Sequence, residues 1–354
     1  MRPDHLVSSR SESLCRQDRQ CKRWEKHLNK LREFSRAGGR PKLPRLILCL
    51  LLLLACGGGC SIRRYALNQV SDALSRSGST FASDDDPDLV KAAVPFSLKL
   101  IESLLAENPR HRGLLLAAAS GFTQYAFAFV QEDADEVEAQ DLAAAEALRA
   151  RARRLYLRAH QYGLRGLEVQ HPGITQALLA DPKAAVAVAG SNDVPFLYWT
   201  AAAWAAAISL SKDNPELIGQ LPAVEALMDR ALQLNEAYGS GAIHSFLVSY
   251  EMSRPAGTGD PAARSRQHYE RALALSGGQD AGVFVGLAEA ITIQKQDVKE
   301  FESLLNRALA VPVEASPETR MLNLVWQRRA RWLLSRKAEL FLIDKPEDQS
   351  SEKH

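Results

Sequence analysis

The sequence predicts an all-α fold built from stacked helical hairpins. Apolar residues recur every three or four positions, as at Leu98, Ile101 and Leu105, which is the spacing of one helix face. Runs of alternating β-branched residues are scarce, and the Asn-Gly and Asp-Gly signals of β-hairpins are absent from the sequence. A capping residue precedes proline, which fits the first turn of a helix, at five places: Asp86-Pro87, Asp181-Pro182, Asn214-Pro215, Asp260-Pro261 and Ser316-Pro317.

The first 45 residues form a basic extension. Residues 1–60 carry thirteen Lys and Arg against five Asp and Glu, a net charge of +8, so the rest of the chain carries −6. The extension is polar and lacks a periodic apolar face, so we expect it to be disordered. An ordinary export signal has a much shorter basic region, and our hypothesis is that translation begins later, at a non-AUG codon near Leu28, Leu31 or Leu43.

Residues 46–60, "LILCLLLLLACGGGC", have the composition of an export signal. Their ten-residue apolar run, 46–55, is too short for a bilayer, which needs about 20 residues, and suits a signal core of about 7–15. Leu53-Leu54-Ala55-Cys56 resembles a bacterial lipobox, whose cysteine is lipidated. Gly59-Cys60-Ser61 is the rival, although Gly57 stands where an aliphatic residue is expected. The local pattern favours Cys56 over Cys60.

The positions of the cysteines and the distribution of charge exclude several classes of protein for the residues after 60. All five cysteines lie in the first sixty residues, so the body offers no disulfide framework and no cysteine zinc site. Cys56 and Cys60 lie in a glycine run without a neighbouring histidine, which disfavours a metal there. The acidic body lacks the basic stripe of a nucleic-acid-binding protein. We therefore expect no metal, no cofactor and no nucleic-acid partner.

Residues 61–345 are predicted to form one helical-repeat domain, followed by a disordered tail at 346–354. "DRALQLN", "ERALALS" and "NRALAVP" place Ala231, Ala272 and Ala308 at intervals of 41 and 36 residues, and Ala159 lies 72 residues before Ala231. Periods of this size are typical of tetratricopeptide-like hairpins of about 34 residues, which stack into a curved body. The alternative is that Arg-Ala-Leu merely recurs in alanine-rich helices.

Two segments, 114–130 and 194–210, are apolar on every side. Each is shorter than a membrane span and rich in alanine, so we interpret both as buried central helices. They carry an aromatic cluster that is either core or the wall of an apolar ligand groove. The candidate ligand-binding residues are Phe122, Tyr125, Phe129, Tyr198, Trp199 and Trp204, together with His244 near a later helix start.

Catalytic signatures are missing from the sequence. It contains no His-Glu pair of a helical zinc protease, no Gly-x-Ser-x-Gly and no Gly-Lys-Ser/Thr loop. The run Glu132 to Glu138 has no metal-binding spacing and is interpreted as a solvated loop between helices. We therefore predict that the protein is not an enzyme.

The body resembles the TatT component family associated with TRAP transporters. The resemblance covers about residues 60 to 341 and rests on five sequence segments: "DPDLVKAAVPFSLKLIESLLAENP", "GFTQYAFAFV", "RARRLYLRAHQYGLRGLE", "DVPFLYWTAAAWAAAISLSKDNPEL" and "GAIHSFLVSYE". The family pattern has Gly-Cys-Ser at the lipidation site, which favours Cys60 over Cys56. The departures are Gly57 and the long basic extension, and they leave the cleavage point open.

The resemblance implies a tetratricopeptide-type lipoprotein that faces the periplasm and associates with the solute-binding protein of a TRAP system. It also implies a homo-oligomer, with a trimer as the expected form, and a ligand that is a small hydrophobic molecule or an organic acid. The residue after either cysteine is not aspartate, which implies an anchor in the inner leaflet of the outer membrane. The alternative function is a general envelope scaffold without a ligand pocket.

Overall fold

The computed structural model describes residues 69, 71–73, 78–254 and 259–342. The chain divides into two units, Met1–Tyr65 and Ala66–His354, and every described residue belongs to the second. The predicted extension 1–45, the signal at 46–60 with Cys56 and Cys60, and the tail 346–354 lie outside the described residues. The structure therefore concerns the predicted helical body.

All regular elements in the described residues are helical, which confirms the predicted all-α class. The helices are α1 (Gly78–Ala82), α2 (Pro87–Glu107), α3 (Arg112–Ala126), α4 (Glu132–Val137), α5 (Leu142–Gln170), α6 (Ile174–Ala180), α7 (Pro182–Val186), α8 (Val194–Ser209), α9 (Pro215–Ile218), α10 (Leu221–Leu234), α11 (Ala242–Tyr250), α12 (Pro261–Ser276), α13 (Ala281–Leu287), α14 (Val298–Leu309), α15 (Arg320–Ser335) and α16 (Lys337–Leu340). Two π-helical turns, Phe127–Gln131 after α3 and Ala288–Thr292 after α13, continue their helices.

The longer helices pack against helices that are near to them in the chain. Helix α3 packs on α5, α8 on α10, α11 on α12, and α13 on α14. Successive pairs meet through the contacts of α5 with α8, α11 with α13, and α14 with α15. This arrangement is compatible with the predicted stack of helical hairpins.

Four of the five helix starts that the proline junctions predict have a side-chain cap. Asp86, Asp181, Asn214 and Asp260 each accept a hydrogen bond from a backbone N–H in the first turn that follows. Ser316 makes no such bond, and the element after it is a 3₁₀ turn, Pro317–Thr319. A serine before proline therefore starts a turn here without serving as its cap.

Small residues allow the hairpins to approach closely. The repeated alanines Ala159, Ala231, Ala272 and Ala308 are fully buried. Glycine does the same between α5 and α8, where a Cβ at Gly166 would lie only 1.9 Å from the Phe196 ring. The recurring alanines thus mark helix–helix contacts, as the repeat pattern predicts.

The buried residues form two hydrophobic clusters that share two helices. In α11, Leu247 belongs to the first cluster and Val248 to the second. In α15, Val325 belongs to the first and Ala330 to the second. These two helices therefore join the amino-terminal and carboxyl-terminal halves of the body.

Helix α15 also returns to the start of the described chain. It contacts α1 and α2, and Arg320 Nη1 donates to the Ser83 carbonyl oxygen at 2.9 Å. Farther along α15, the Trp326 ring lies 4.8 Å from the Phe127 ring, measured between centroids. The last long helix thus closes the stack against its first members.

The two predicted apolar segments lie in the core. Arg112–Val137 is long and apolar enough to cross a membrane by length and composition alone, but 61% of its most apolar window is buried inside the protein. Leu114, Leu115 and Ala118 on α3, and Leu197 and Ala201 on α8, are fully buried. Both segments have the burial of core helices, as the sequence predicts.

Candidate functional site

The structure places Phe122, Tyr125 and Phe129 in the interface between α3 and α5. All three are buried. The Phe122 ring stacks on Tyr162 with centroids 6.0 Å apart, and the rings of Tyr125 and Phe129 lie 5.7 Å apart. Side chains of α5 contact the rings of Phe122 and Tyr125.

Trp204 and the pair of Tyr198 and Trp199 lie in two other environments. Trp204 is buried beside His160, with centroids 4.1 Å apart, and its Nε1 donates to Gln220 Oε1 at 3.0 Å. Tyr198 and Trp199 are only partly buried, and Tyr198 also contacts the ring of Tyr238. The six aromatic residues therefore do not form one continuous surface.

His244 is buried and paired with a second histidine. Its Nδ1 lies 2.9 Å from Nδ1 of His268, and its Nε2 lies 3.4 Å from Glu236 Oε2. Burial lowers the pKa of both imidazoles, and for His244 the nearby Glu236 carboxylate partly offsets this effect. The pair fits a structural hydrogen bond between α11 and α12.

A cavity of about 460 Å³ lies elsewhere, between the π-helical turns after α3 and α13, the end of α11 and α15. None of the seven predicted ligand-binding residues lines it. Its apolar side is formed by Phe127, Met252 and Trp326, and its charged side by the first residue of α4 and by groups from the second π-helical turn and α15. The volume is within the range of about 300–1,000 Å³ that is typical of small-molecule sites.

Both π-helical turns border this cavity. Phe127 and Gln131 come from the turn after α3, and Glu289 and Ala290 come from the turn after α13. Such turns insert one residue into a helix and occur frequently at functional sites. The local geometry of both helices is therefore changed at the point where they face the cavity.

Trp326 is brought to the cavity wall by a glycine on α13. A Cβ at Gly282 would lie 2.4 Å from Trp326 Nε1, so any larger residue would displace the indole. The ring then packs against Phe127 at an interplanar angle of 49°. The two aromatic residues thus come from segments that lie far apart in the sequence.

Arg329 is the central cation of the charged side. Its guanidinium donates to Asp135 Oδ2 at 2.7 Å and to Glu289 Oε1 at 2.7 Å, and it lies 3.5 Å from Glu132 Oε2. It also lies 4.4 Å from the centre of the Trp332 ring. Burial lowers the pKa of Arg329, but the surrounding carboxylates outweigh it and hold that pKa above its usual value.

Glu132 is the most deeply buried acidic side chain of the cavity wall, with 1% of its surface exposed. Its Oε1 has no hydrogen-bond partner among the described residues. Burial raises the pKa of Glu132 to about 8; Arg329 opposes the rise, and the like charges of Glu289 and Asp135 add to it. The carboxyl group is therefore mostly protonated at neutral pH.

A second set of ion pairs holds the acidic helix α4 against α15. Arg328 binds Glu136 through two nitrogens, at 2.8 and 2.6 Å, and Asp133 at 2.9 Å. The run Glu132 to Glu138, interpreted above as a solvated loop, is thus largely helical and ion-paired, so that interpretation was wrong. The opposite charges of the segments "EDADEVE" and "QRRARW" could have indicated this pairing. The paired residues lie 192–197 positions apart in the sequence, so the pattern is not visible within any one segment.

Within residues 69, 71–73, 78–254 and 259–342, no three His, Cys, Asp or Glu side chains are grouped so that they could hold a metal ion. The cavity instead combines aromatic side chains with the buried carboxyl group of Glu132 and the partly exposed one of Glu289.

Comparison with known proteins places the chain in a transport family. The family model described as "TRAP transporter T-component" (TAtT) matches residues 83–341. The chain is also 29% identical over 321 residues to an "Uncharacterized protein" of Treponema pallidum (strain Nichols), with 85% of this chain and 99% of that protein covered. The family match includes every residue that lines the cavity. The chain therefore belongs to the TAtT family, the T-component of TRAP transporters.

Proposed function

We propose that this protein is an accessory component of a TRAP-type transport system that docks the solute-binding protein and holds a small ligand. Family membership supports the transport role. The observation that supports the ligand-holding role is the cavity lined in part by α15, with its aromatic side chains and a buried carboxyl oxygen that lacks a partner within the described body. A general scaffold would not need such a cavity.

The anchor that we propose is a lipid on Cys60, with Cys56 as the alternative. The protein would then face the periplasm from the inner leaflet of the outer membrane and meet the membrane through this lipid alone. The mass of the mature amino-terminal peptide tests the proposal. A lipidated peptide that begins at Cys60 supports it, one that begins at Cys56 selects the alternative, and an unmodified peptide contradicts both.

The docking surface that we propose is a row of exposed arginines along α5. Arg151, Arg154, Arg158 and Arg165 lie on one side of this helix. Spacings of three, four and seven residues keep them within one face over about 21 Å. A protein surface rich in carboxylates is the partner that such a row fits.

Aromatic rings beneath the row hold its guanidinium groups in place. Arg158 lies 5.4 Å from the centre of the Phe122 ring, and Arg151 lies 5.8 Å from that of Tyr125 and donates to its hydroxyl. Stacked arginines lose less conformational freedom on binding and are enriched at the centres of interfaces. Phe122 and Tyr125, predicted as ligand contacts, would then support docking.

Pull-down of the periplasmic solute-binding protein, followed by native mass spectrometry, tests docking and oligomeric state together. We expect a homo-oligomer, with a trimer as its form, that retains the receptor. Arg154→Glu should weaken this retention at least tenfold, whereas Arg331→Glu, which reverses an exposed arginine on α15, should not. Absence of the receptor from every preparation would contradict the transport role and favour the scaffold alternative.

Ligand contact by the seven predicted residues stays a prediction. Tyr198 and Trp199 are its best remaining candidates because both are partly exposed. The cavity offers a second and separate location. Native mass spectra of cavity variants and of Trp199→Ala, recorded side by side, decide which location retains a co-purified ligand.

A further inference from the structure

The charged side of the cavity, together with the ion pairs next to it, contains more acid than base. Glu132, Asp135, Glu138 and Glu289 share two guanidinium groups, those of Arg149 and Arg329. Arg329 already contacts three of these carboxyl groups, and Arg149 contacts Asp135 and Glu138 at 3.0 and 2.9 Å. An anionic ligand would therefore find no cation at the cavity wall whose bonds are not already used.

Glu132 adds a carboxyl oxygen that has no partner. Its Oε2 faces Arg329, while its Oε1 makes no hydrogen bond within the described body although the side chain is 1% exposed. Buried polar atoms in proteins almost always have a partner. Glu132 is among the residues that line the cavity, so once its proton is released this oxygen becomes an acceptor for a donor placed in the cavity.

The aromatic part of the cavity wall is suited to a positive charge. Phe127 and Trp326 form a tilted aromatic pair, and Met252 also lines the cavity. Aromatic faces attract ammonium groups electrostatically, and tryptophan does so most strongly. Aromatic rings and carboxyl groups that line the same cavity can together stabilise a cationic amine.

We propose that the cavity binds a small cationic amine, with its ammonium group between the carboxyl groups of Glu132 and Glu289 and the rings of Phe127 and Trp326. This inference rests on the ligand-holding part of the proposed function and names the chemical class of the ligand. It differs from the hydrophobic molecule or organic acid that the family resemblance implies. Primary amines and quaternary ammonium compounds share this chemistry, either free or at the head of a lipid-like chain.

Binding of a cation should release a proton from Glu132. The groups around this carboxyl are Asp135 on α4, Glu289 on the π-helical turn, Arg328 and Arg329 on α15, and Tyr156 on α5. With the pKa of Glu132 at about 8, the carboxyl is largely protonated at pH 7 in the empty protein. A neighbouring positive charge favours the ionised form, so we expect release of close to one proton per ligand.

Isothermal titration calorimetry of the purified full chain tests this proposal. The probes are tetramethylammonium, dodecyltrimethylammonium and hexanoate, each at pH 7 in two buffers of different ionisation enthalpy. We expect both cations, or the long-chain cation alone, to bind and release a proton, and hexanoate not to bind. Tighter binding of the long-chain probe would indicate a lipid-like source, and equal binding a free amine.

Variants locate the site. Glu132→Gln should weaken cation binding at least tenfold and abolish the proton release, and Trp326→Leu should weaken binding by a similar factor while proton release persists. Glu300→Gln is the matched control, because this carboxyl is ion-paired with Arg266 and does not line the cavity. Unchanged circular dichroism and a cooperative urea unfolding transition at pH 7 separate lost binding from lost folding.

Three results would overturn the amine assignment: binding of hexanoate in place of the cations, absence of binding by all three probes, or unchanged cation affinity in both cavity variants. Hexanoate binding that Trp326→Leu abolishes would leave the ligand-holding function intact and reject only the chemical class. Failure of the solute-binding protein to co-purify is a separate result, which rejects the docking function irrespective of the ligand.

Discussion

Replacement of Glu132 by glutamine is expected to remove a pH-dependent part of the protein's stability. Burial raises the pKa of this carboxyl from 4.5 to about 8. Between these values the folded protein holds a proton that the unfolded chain has lost, so the free energy of unfolding falls as pH rises. At about 1.4 kcal/mol per pH unit, the full loss amounts to about 5 kcal/mol, of which about 3–4 kcal/mol falls between pH 5 and pH 8.

Urea unfolding followed by circular dichroism measures this loss. Wild type and Glu132→Gln are compared at pH 5, 6, 7 and 8, and the difference between them isolates Glu132. Buried histidines act in the opposite sense, because burial lowers the pKa of His160 to about 4 and stability is lost as pH falls towards that value. This contribution is common to both proteins and cancels. A difference that stays constant from pH 5 to pH 8 would refute the reasoning, and Glu300→Gln should follow wild type.

Three further changes test the packing, the caps and the aromatic set. Gly166→Ala places a methyl group against the Phe196 ring and should lower the free energy of unfolding by about 1–3 kcal/mol. Gly190→Ala is the control, because no atom lies near its added methyl group, and it should not lower this free energy. Equal urea midpoints for the two variants would contradict the prediction. Asp86→Ala removes the cap of α2 and should cost about 1 kcal/mol, measured in the same way. Trp199→Ala should abolish ligand retention in native mass spectra while helicity persists, if Trp199 contacts ligand; loss of folding would instead assign this residue to the core.

The sequence was most informative where one local feature decides the structure. Asp86 before Pro87 predicts a capped helix start because both effects act within one turn, and the structure has that cap. The spacing of Ala231 and Ala272 predicts helix contacts because a small residue is needed wherever two helices approach, and both alanines are fully buried. Such features depend on neighbours that are close in sequence.

The cavity could not be predicted in the same way because its walls come from distant segments. The rings of Phe127 and Trp326 are in contact although the two residues lie far apart in the sequence, and neither belongs to a repeated motif. The aromatic residues that stood out in the sequence, Phe122 and Trp204, both pack against side chains of α5. A pattern along one helix shows which face is apolar, but it does not show whether that face meets protein or an open space.

The returning helix α15 has a consequence for how this chain must fold. An open array of hairpins can grow one unit at a time, since each unit needs only the unit before it. Here Arg328 and Arg329 pair with residues 192–197 positions earlier, so these ion pairs of the acidic helix α4 cannot form until nearly the last described segment is available. Contacts of such separation slow folding. We therefore expect the cavity to form late in folding, and a chain that ends before residue 320 to lack the part of the cavity wall that α15 supplies.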